Sequence, residues 1–134
     1  MSAPQNISDG PTPTVFDAVG GRPWFEALID DFYDRVESDE LLRPLYPDDL
    51  TDSRAHMVGF LVQYWGGPAT YSEQRGHPRL RMRHAPFVIR TAERNAWLNH
   101  MLAAVEQSTA TPELKRQMAG YFETASTHMI NQPD

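Results

Sequence analysis

The chain has 134 residues, no cysteine and a formal net charge of −6 at neutral pH. That length fits one domain. The missing thiols exclude disulfides, zinc–thiolate sites and iron–sulfur clusters, and the acidic balance argues against nucleic-acid binding, which needs a basic footprint.

Residues 1–14 are rich in Pro, Ser, Thr and Gly with almost nothing to bury, so a disordered extension is expected there. The N-terminus lacks the basic and apolar regions of a signal peptide, and no apolar run approaches the roughly 20 residues of a membrane span. A cytoplasmic protein is expected. The first clear helix follows Gly20-Gly21-Arg22-Pro23, with Phe25, Leu28, Ile29, Phe32, Tyr33 and Val36 on one face. Ser38 is placed to cap a short second helix, Asp39 to Arg43, closed off by Pro44 and Pro47. Ser53, Met57, Phe60, Leu61 and Tyr64 define a third face, ended by Gly66-Gly67-Pro68. Residues 66–79 read mostly as loop.

A short helix from Pro78 to His84 follows, stopped by Pro86, which disfavours helical backbone at Ala85. Thr91 is placed to cap the next helix, with Trp97, Leu98, Met101, Leu102 and Val105 on its buried side. Thr111-Pro112-Glu113 combines a cap, a first-turn proline and an acid against the helix dipole. Leu114, Met118, Tyr121, Phe122, Ala125 and Met129 continue that last helix. No segment alternates with period two, so the expected class is all-α, with a domain over 15–131 and a short tail over 132–134.

Five histidines are available, at positions 56, 77, 84, 100 and 128, and none forms an HExxH pair. Haem needs only a single neutral imidazole in an apolar slot, with cations near its propionates. His84 has that setting: Leu80 lies one turn before it, and Arg79, Arg81 and Arg83 are suited to carboxylates. A histidine beside a proline can equally be structural, and residue pattern leaves both readings open. Tyr33, Tyr46 and Trp97 carry donors that a core must satisfy. They could serve a ligand or simply the core. No phosphate loop, nucleophile elbow or paired-carboxylate signature is present.

The segments FDAVGG (from Phe16), FYDRV (from Phe32), LYPDDL (from Leu45) and QYWGGPATYSEQRGHPRLRMRHAPF (Gln63 to Phe87), with the Trp97 helix, resemble a group II truncated haemoglobin, the O-type found in actinobacteria. The resemblance covers about Phe16 to Asn131. It implies a two-over-two helical sandwich around haem b, with His84 as the iron ligand. It also implies Tyr33, Tyr46 and Trp97 as distal ligand-stabilising groups and Phe32, Ser53 and Met57 in the distal pocket. Arg79, Arg83, Leu80 and Phe60 would then hold the cofactor. His56 is expected on a different helical face, offering no distal imidazole.

Such a protein is expected to bind O2, NO, CO or sulfide, with the hydroxyls and the indole stabilising a ligand that draws electron density. Turnover of NO or peroxide would need an external reductase, because nothing in the chain suggests a flavin or nicotinamide site. The alternatives are a non-catalytic O2 or redox sensor, a sulfide or oxygen carrier, and a helical interaction domain whose His84 is structural.

Overall fold

The computed structural model of the chain describes residues 13–134. Among them lie seven α-helices, a 3-10 turn and no strand: α1 (Val15–Ala18), α2 (Arg22–Glu37), the turn Arg43–Leu45, α3 (Thr51–Tyr64), α4 (Thr70–Arg75), α5 (Leu80–His84), α6 (Thr91–Gln107) and α7 (Pro112–Met129). No helix among the described residues is long and apolar enough to cross a membrane. The disorder expected over 1–14 lies outside the described residues except at Pro13 and Thr14.

Helix α1, which periodicity does not reveal, is set by a capping box. The Thr14 hydroxyl accepts from Asp17 N at 3.1 Å, and the Asp17 carboxylate accepts from Thr14 N at 3.3 Å. The helix docks on the end of α3 through Phe16 N and Trp65 O, 2.9 Å apart. Gly66 makes that approach possible: its φ is +104°, and a Cβ there would sit 2.5 Å from Thr14.

The stripe expected on α2 is the centre of the core. Phe25, Ile29, Phe32 and Val36 are fully enclosed, each burial contributing about 1.5–3 kcal/mol. Helix α2 packs against α3 and α6, and α6 packs against α7. The α2/α3 pair thus layers on the α6/α7 pair in a two-over-two helical sandwich, as expected for the all-α class.

Several elements differ from expectation in physically explicable ways. The helix expected over Asp39 to Arg43 is a turn, with only Arg43–Leu45 in 3-10 form, because so short a segment cannot repay helix nucleation. Asp39, not Ser38, caps it, its Oδ1 accepting from Leu41 N (2.8 Å) and Leu42 N (3.1 Å). The loop over 66–79 contains α4, held by Tyr71 packed on Phe60 and by the Gln63 amide. That amide donates to Ser72 Oγ (2.6 Å) and accepts from Ser72 N (2.9 Å). Thr91 is the first residue of α6 and Arg90 its cap position, where Glu93 Oε1 accepts from Arg90 N at 2.7 Å. Ala85 keeps helical backbone despite Pro86. Thr111 caps α7 as expected, accepting from Leu114 N at 3.2 Å.

One long-range contact ties the Tyr46 loop to the Trp97 helix. His100 Nε2 on α6 donates to Asp39 Oδ2 at 2.6 Å. Burial alone would raise the Asp39 pKa, but the hydrogen bonds from His100, Leu42 N and Leu41 N outweigh it and hold the carboxyl below its usual 3.8. A depressed folded-state pKa means that ionised Asp39 favours folding. This contribution is complete above the unfolded pKa and is lost as the pH falls through the lower folded value. Denaturant titrations are therefore expected to show Asp39→Ala less stable than the parent by about 1–2 kcal/mol near pH 7, with the gap closing on acidification below about pH 4.

Candidate haem cavity

Between the two helix pairs lies a cavity of about 450 Å3 with a predominantly apolar wall. Helix α2 contributes Tyr33 and the following loop Tyr46. Helix α3 contributes Ser53, His56, Met57, Phe60 and Leu61, α5 contributes Leu80, Arg83 and His84, and α6 contributes Trp97. Most of the residues singled out from sequence thus converge on one space. Two do not line it. Phe32 is fully buried behind the wall, edge-on to Tyr33 (5.0 Å between centroids) and Trp97 (5.4 Å). Arg79 is exposed and caps α5 at φ +45°, a left-handed conformation strained for a residue with a side chain.

His84 is the one imidazole whose tautomer the backbone dictates toward metal binding. Its Nδ1 lies 2.6 Å from the Leu80 carbonyl. A carbonyl only accepts, so Nδ1 carries the proton and Nε2 keeps a bare lone pair, the form a metal takes up. That hydrogen bond also fixes the ring orientation. Among the described residues no cluster of three His, Cys, Asp or Glu side chains could chelate an ion. The donor set therefore suits a group that brings its own ligands and needs one imidazole more, and the apolar cavity suits a flat hydrophobic macrocycle.

The segment after His84 is clamped from the C-terminus. Asn131 Nδ2 donates to Phe87 O (2.9 Å) and His84 O (3.3 Å), its Oδ1 accepts from Ile89 N (3.0 Å), and its own N–H donates to Ile89 O (3.0 Å). Asp134, in the tail, accepts from Thr91 N at 3.1 Å. Neither residue carries a signal in sequence, because each acts only through contacts more than 40 positions away.

The distal donors keep their protons. Burial, with the neighbouring Tyr46, pushes the Tyr33 phenol far above its usual range against the pull of Arg54. Burial also raises Tyr46 to about 12, opposed by the neighbouring Trp97. Tyr33 Oη reaches the Ser53 carbonyl at 3.4 Å, a long and weak contact for a hydroxyl.

A cationic edge completes the site. Arg83 lines the cavity while its Nε and Nη2 donate to Pro78 O (2.7 Å) and Arg75 O (2.9 Å). His56 lines this edge too, which corrects the expectation that it faces elsewhere. Its Nε2 accepts from Arg75 Nη1 at 3.0 Å. Burial, then the charges of Arg75 and Arg83, outweigh Asp52 and lower its pKa, so it is neutral near pH 7. Arg94 also lines the cavity, with Nη2 donating to Thr127 Oγ1 (2.8 Å) and a buried Nε lacking a protein partner. Its place three residues before Trp97 on α6 was the available signal.

The chain matches the bacterial-like globin family over residues 14–131. It is 40% identical to the group 2 truncated hemoglobin YjbI of Bacillus subtilis over 85% of its own length and 86% of that protein's. The crystal structure of a hemoglobin from Chloroflexus aurantiacus superposes with a TM-score of 0.88 at 50% identity, covering 90% of this chain and 100% of that one. The truncated oxygen-avid haemoglobin from Bacillus subtilis superposes with a TM-score of 0.84 at 39% identity, covering 89% and 100%.

Proposed function

The chain belongs to the bacterial-like globins as a group 2 truncated haemoglobin with haem b as its cofactor, and from that premise we propose that it holds dioxygen tightly and uses it to oxidise nitric oxide to nitrate. The observation that carries this reading is the distal set: Tyr46, Tyr33 and Trp97 line one wall of the cavity, and both phenols remain protonated at neutral pH. The description of the B. subtilis neighbour as oxygen-avid points the same way.

Ferrous haem supplies an open iron position and electron density to a diatomic ligand, which makes that ligand a better hydrogen-bond acceptor. In this reading His84 Nε2 would hold the iron, and Arg75 and Arg83, on the cationic edge of the cavity, would pair with the carboxylates of the cofactor. Arg79 stands outside the wall and takes no direct part. Met57, Phe60 and Leu61 exclude water, which strengthens each donor on the far side. Tyr33, Tyr46 and Trp97 would be the donors to such a ligand. Nitric oxide, dioxygen and one electron balance to nitrate, so the electron must come from an external reductase.

The ferrous holoprotein equilibrated with dioxygen, mixed with nitric oxide and a reductant in a stopped-flow instrument, is expected to form nitrate over repeated cycles. A single cycle, with no recycling even under added reductant, would instead support a non-catalytic oxygen sensor or carrier. Behind His84, Asn131→Ala removes three side-chain hydrogen bonds, two donated and one accepted, each worth about 0.5–1.5 kcal/mol. Haem transfer to excess apomyoglobin is then expected to speed up about tenfold.

A further inference from the structure

The arginines around α5 have no counter-charge of their own. Residues 74–90 hold five of the chain's 12 Lys and Arg residues and none of its 18 Asp and Glu. By contrast, Arg22, Arg35, Arg54, Lys115 and Arg116 each face a carboxylate within 3.9 Å. Among the described residues Arg75, Arg79, Arg81 and Arg83 face none. The hydrogen bonds of Arg75, Arg81 and Arg83 run to His56 or to backbone carbonyls. With Arg75 and Arg83 assigned to the cofactor's carboxylates, Arg79 and Arg81 remain in excess. Neither lines the cavity, and Arg79 is held in left-handed backbone at φ +45°.

The same segment carries exposed apolar surface. Of the five large apolar side chains exposed among the described residues, Met82, Phe87 and Val88 lie here, with Met82 at 60%. Protein interfaces are enriched in Met, aromatic residues and Arg and depleted in Lys, Asp and Glu. Residues 79–88 have that composition, with no Lys, Asp or Glu among them. Helix α5 is only five residues long, about 8 Å from end to end. A body resting on it therefore lies close to His84 at its last turn.

We infer that residues 79–88 form the docking face for an acidic electron-carrier protein, which delivers there the single electron that each turn of nitrate formation requires. The inference rests on the function proposed above. The carrier loses one electron and the ferric centre left by nitrate formation gains it; no bond or proton changes hands. Charge sets the orientation. Outside residues 74–90 the chain carries seven Lys and Arg against 18 Asp and Glu, so it repels an acidic protein over most of its surface and admits it at α5. Screening acts over about 8 Å at physiological ionic strength, so the nearby arginines outweigh distant acids once the partner approaches. A nucleic acid would meet the same charges but offers no apolar surface to Met82, Phe87 and Val88, and an anionic bilayer supplies no electron.

The test titrates isotope-labelled, carbon monoxide-bound ferrous holoprotein with oxidised flavodoxin, an acidic carrier, and follows the backbone amide NMR signals. Shifts are expected to concentrate in residues 79–88. They should vanish in the double variant Arg79→Gly with Arg81→Gln, in which glycine accepts the positive φ without strain. Reduction of the ferric holoprotein by flavodoxin hydroquinone should slow about tenfold in that variant. In the parent it should slow by a similar factor as the ionic strength rises from about 0.15 M to about 1 M. The Soret band and reduction by the uncharged deazariboflavin radical should be unchanged, which shows the variant folded and loaded. Shifts spread over other faces, or a variant that flavodoxin reduces at the parent rate, would overturn the inference. So would shifts at 79–88 with phosphatidylglycerol vesicles and none with flavodoxin. Docking and reduction at this face with no nitrate formed would overturn the nitric oxide reading and leave the docking face standing.

Discussion

Replacing His84 by alanine is expected to abolish stable haem retention, with the Soret band lost or greatly weakened and partly restored by free imidazole. Removing even an outer-sphere partner of a metal ligand costs about 10–100-fold in affinity, so deleting the ligand itself should cost more. The expectation follows from the Leu80 carbonyl, which fixes the His84 proton on Nδ1 and leaves Nε2 for iron. It follows also from the chelate-poor surroundings, since the described residues hold no three-residue metal cluster to take over. Rescue by imidazole separates a ligand role from a structural one, because a collapsed proximal helix would not reopen for it. A spectrum unaltered by the substitution would leave His84 as a core histidine.

Replacing Trp97 by phenylalanine is expected to speed dioxygen dissociation from the ferrous holoprotein by about ten- to hundredfold, the equivalent of losing one hydrogen bond to a partly charged acceptor at about 1.5–3 kcal/mol. Phenylalanine preserves the edge contacts with Phe32 and Phe122, so the change isolates the N–H. Because Trp97 and Tyr46 line the same cavity and Trp97 acts on the Tyr46 phenol, the double variant with Tyr46→Phe should lose less than the sum of the two single losses. An unchanged off-rate in the single variant would remove Trp97 from ligand stabilisation, and strict additivity would mean that it acts without Tyr46.

The helices that bury a long stripe were legible in sequence, because α2, α3, α6 and α7 repeat apolar residues over several turns. The elements missed or misassigned were short. Helix α1 and the Asp39 turn owe their form to single side-chain caps, and α4 exists because Tyr71 finds Phe60 and Ser72 finds Gln63. The same division runs through the site. His84, Tyr33, Tyr46, Met57 and Trp97 could be named in advance because each carries distinctive chemistry within a matched segment. Asn131, the Asp39–His100 pair, the inward approach of His56 and the cavity position of Arg94 depend on distant segments meeting. Arg75 and Arg79 illustrate the difference: four residues apart in one basic run, they part company because Arg79 turns into left-handed backbone at the start of α5, while Arg75 faces the cavity beside His56.

Titration of the purified chain with haemin shows whether the cavity between the helix pairs holds haem on His84. A Soret band is expected to grow to saturation at one haemin per chain and to fail to form with the His84→Ala protein. A chain that stays colourless through the titration, or takes up haemin equally well without His84, would contradict it.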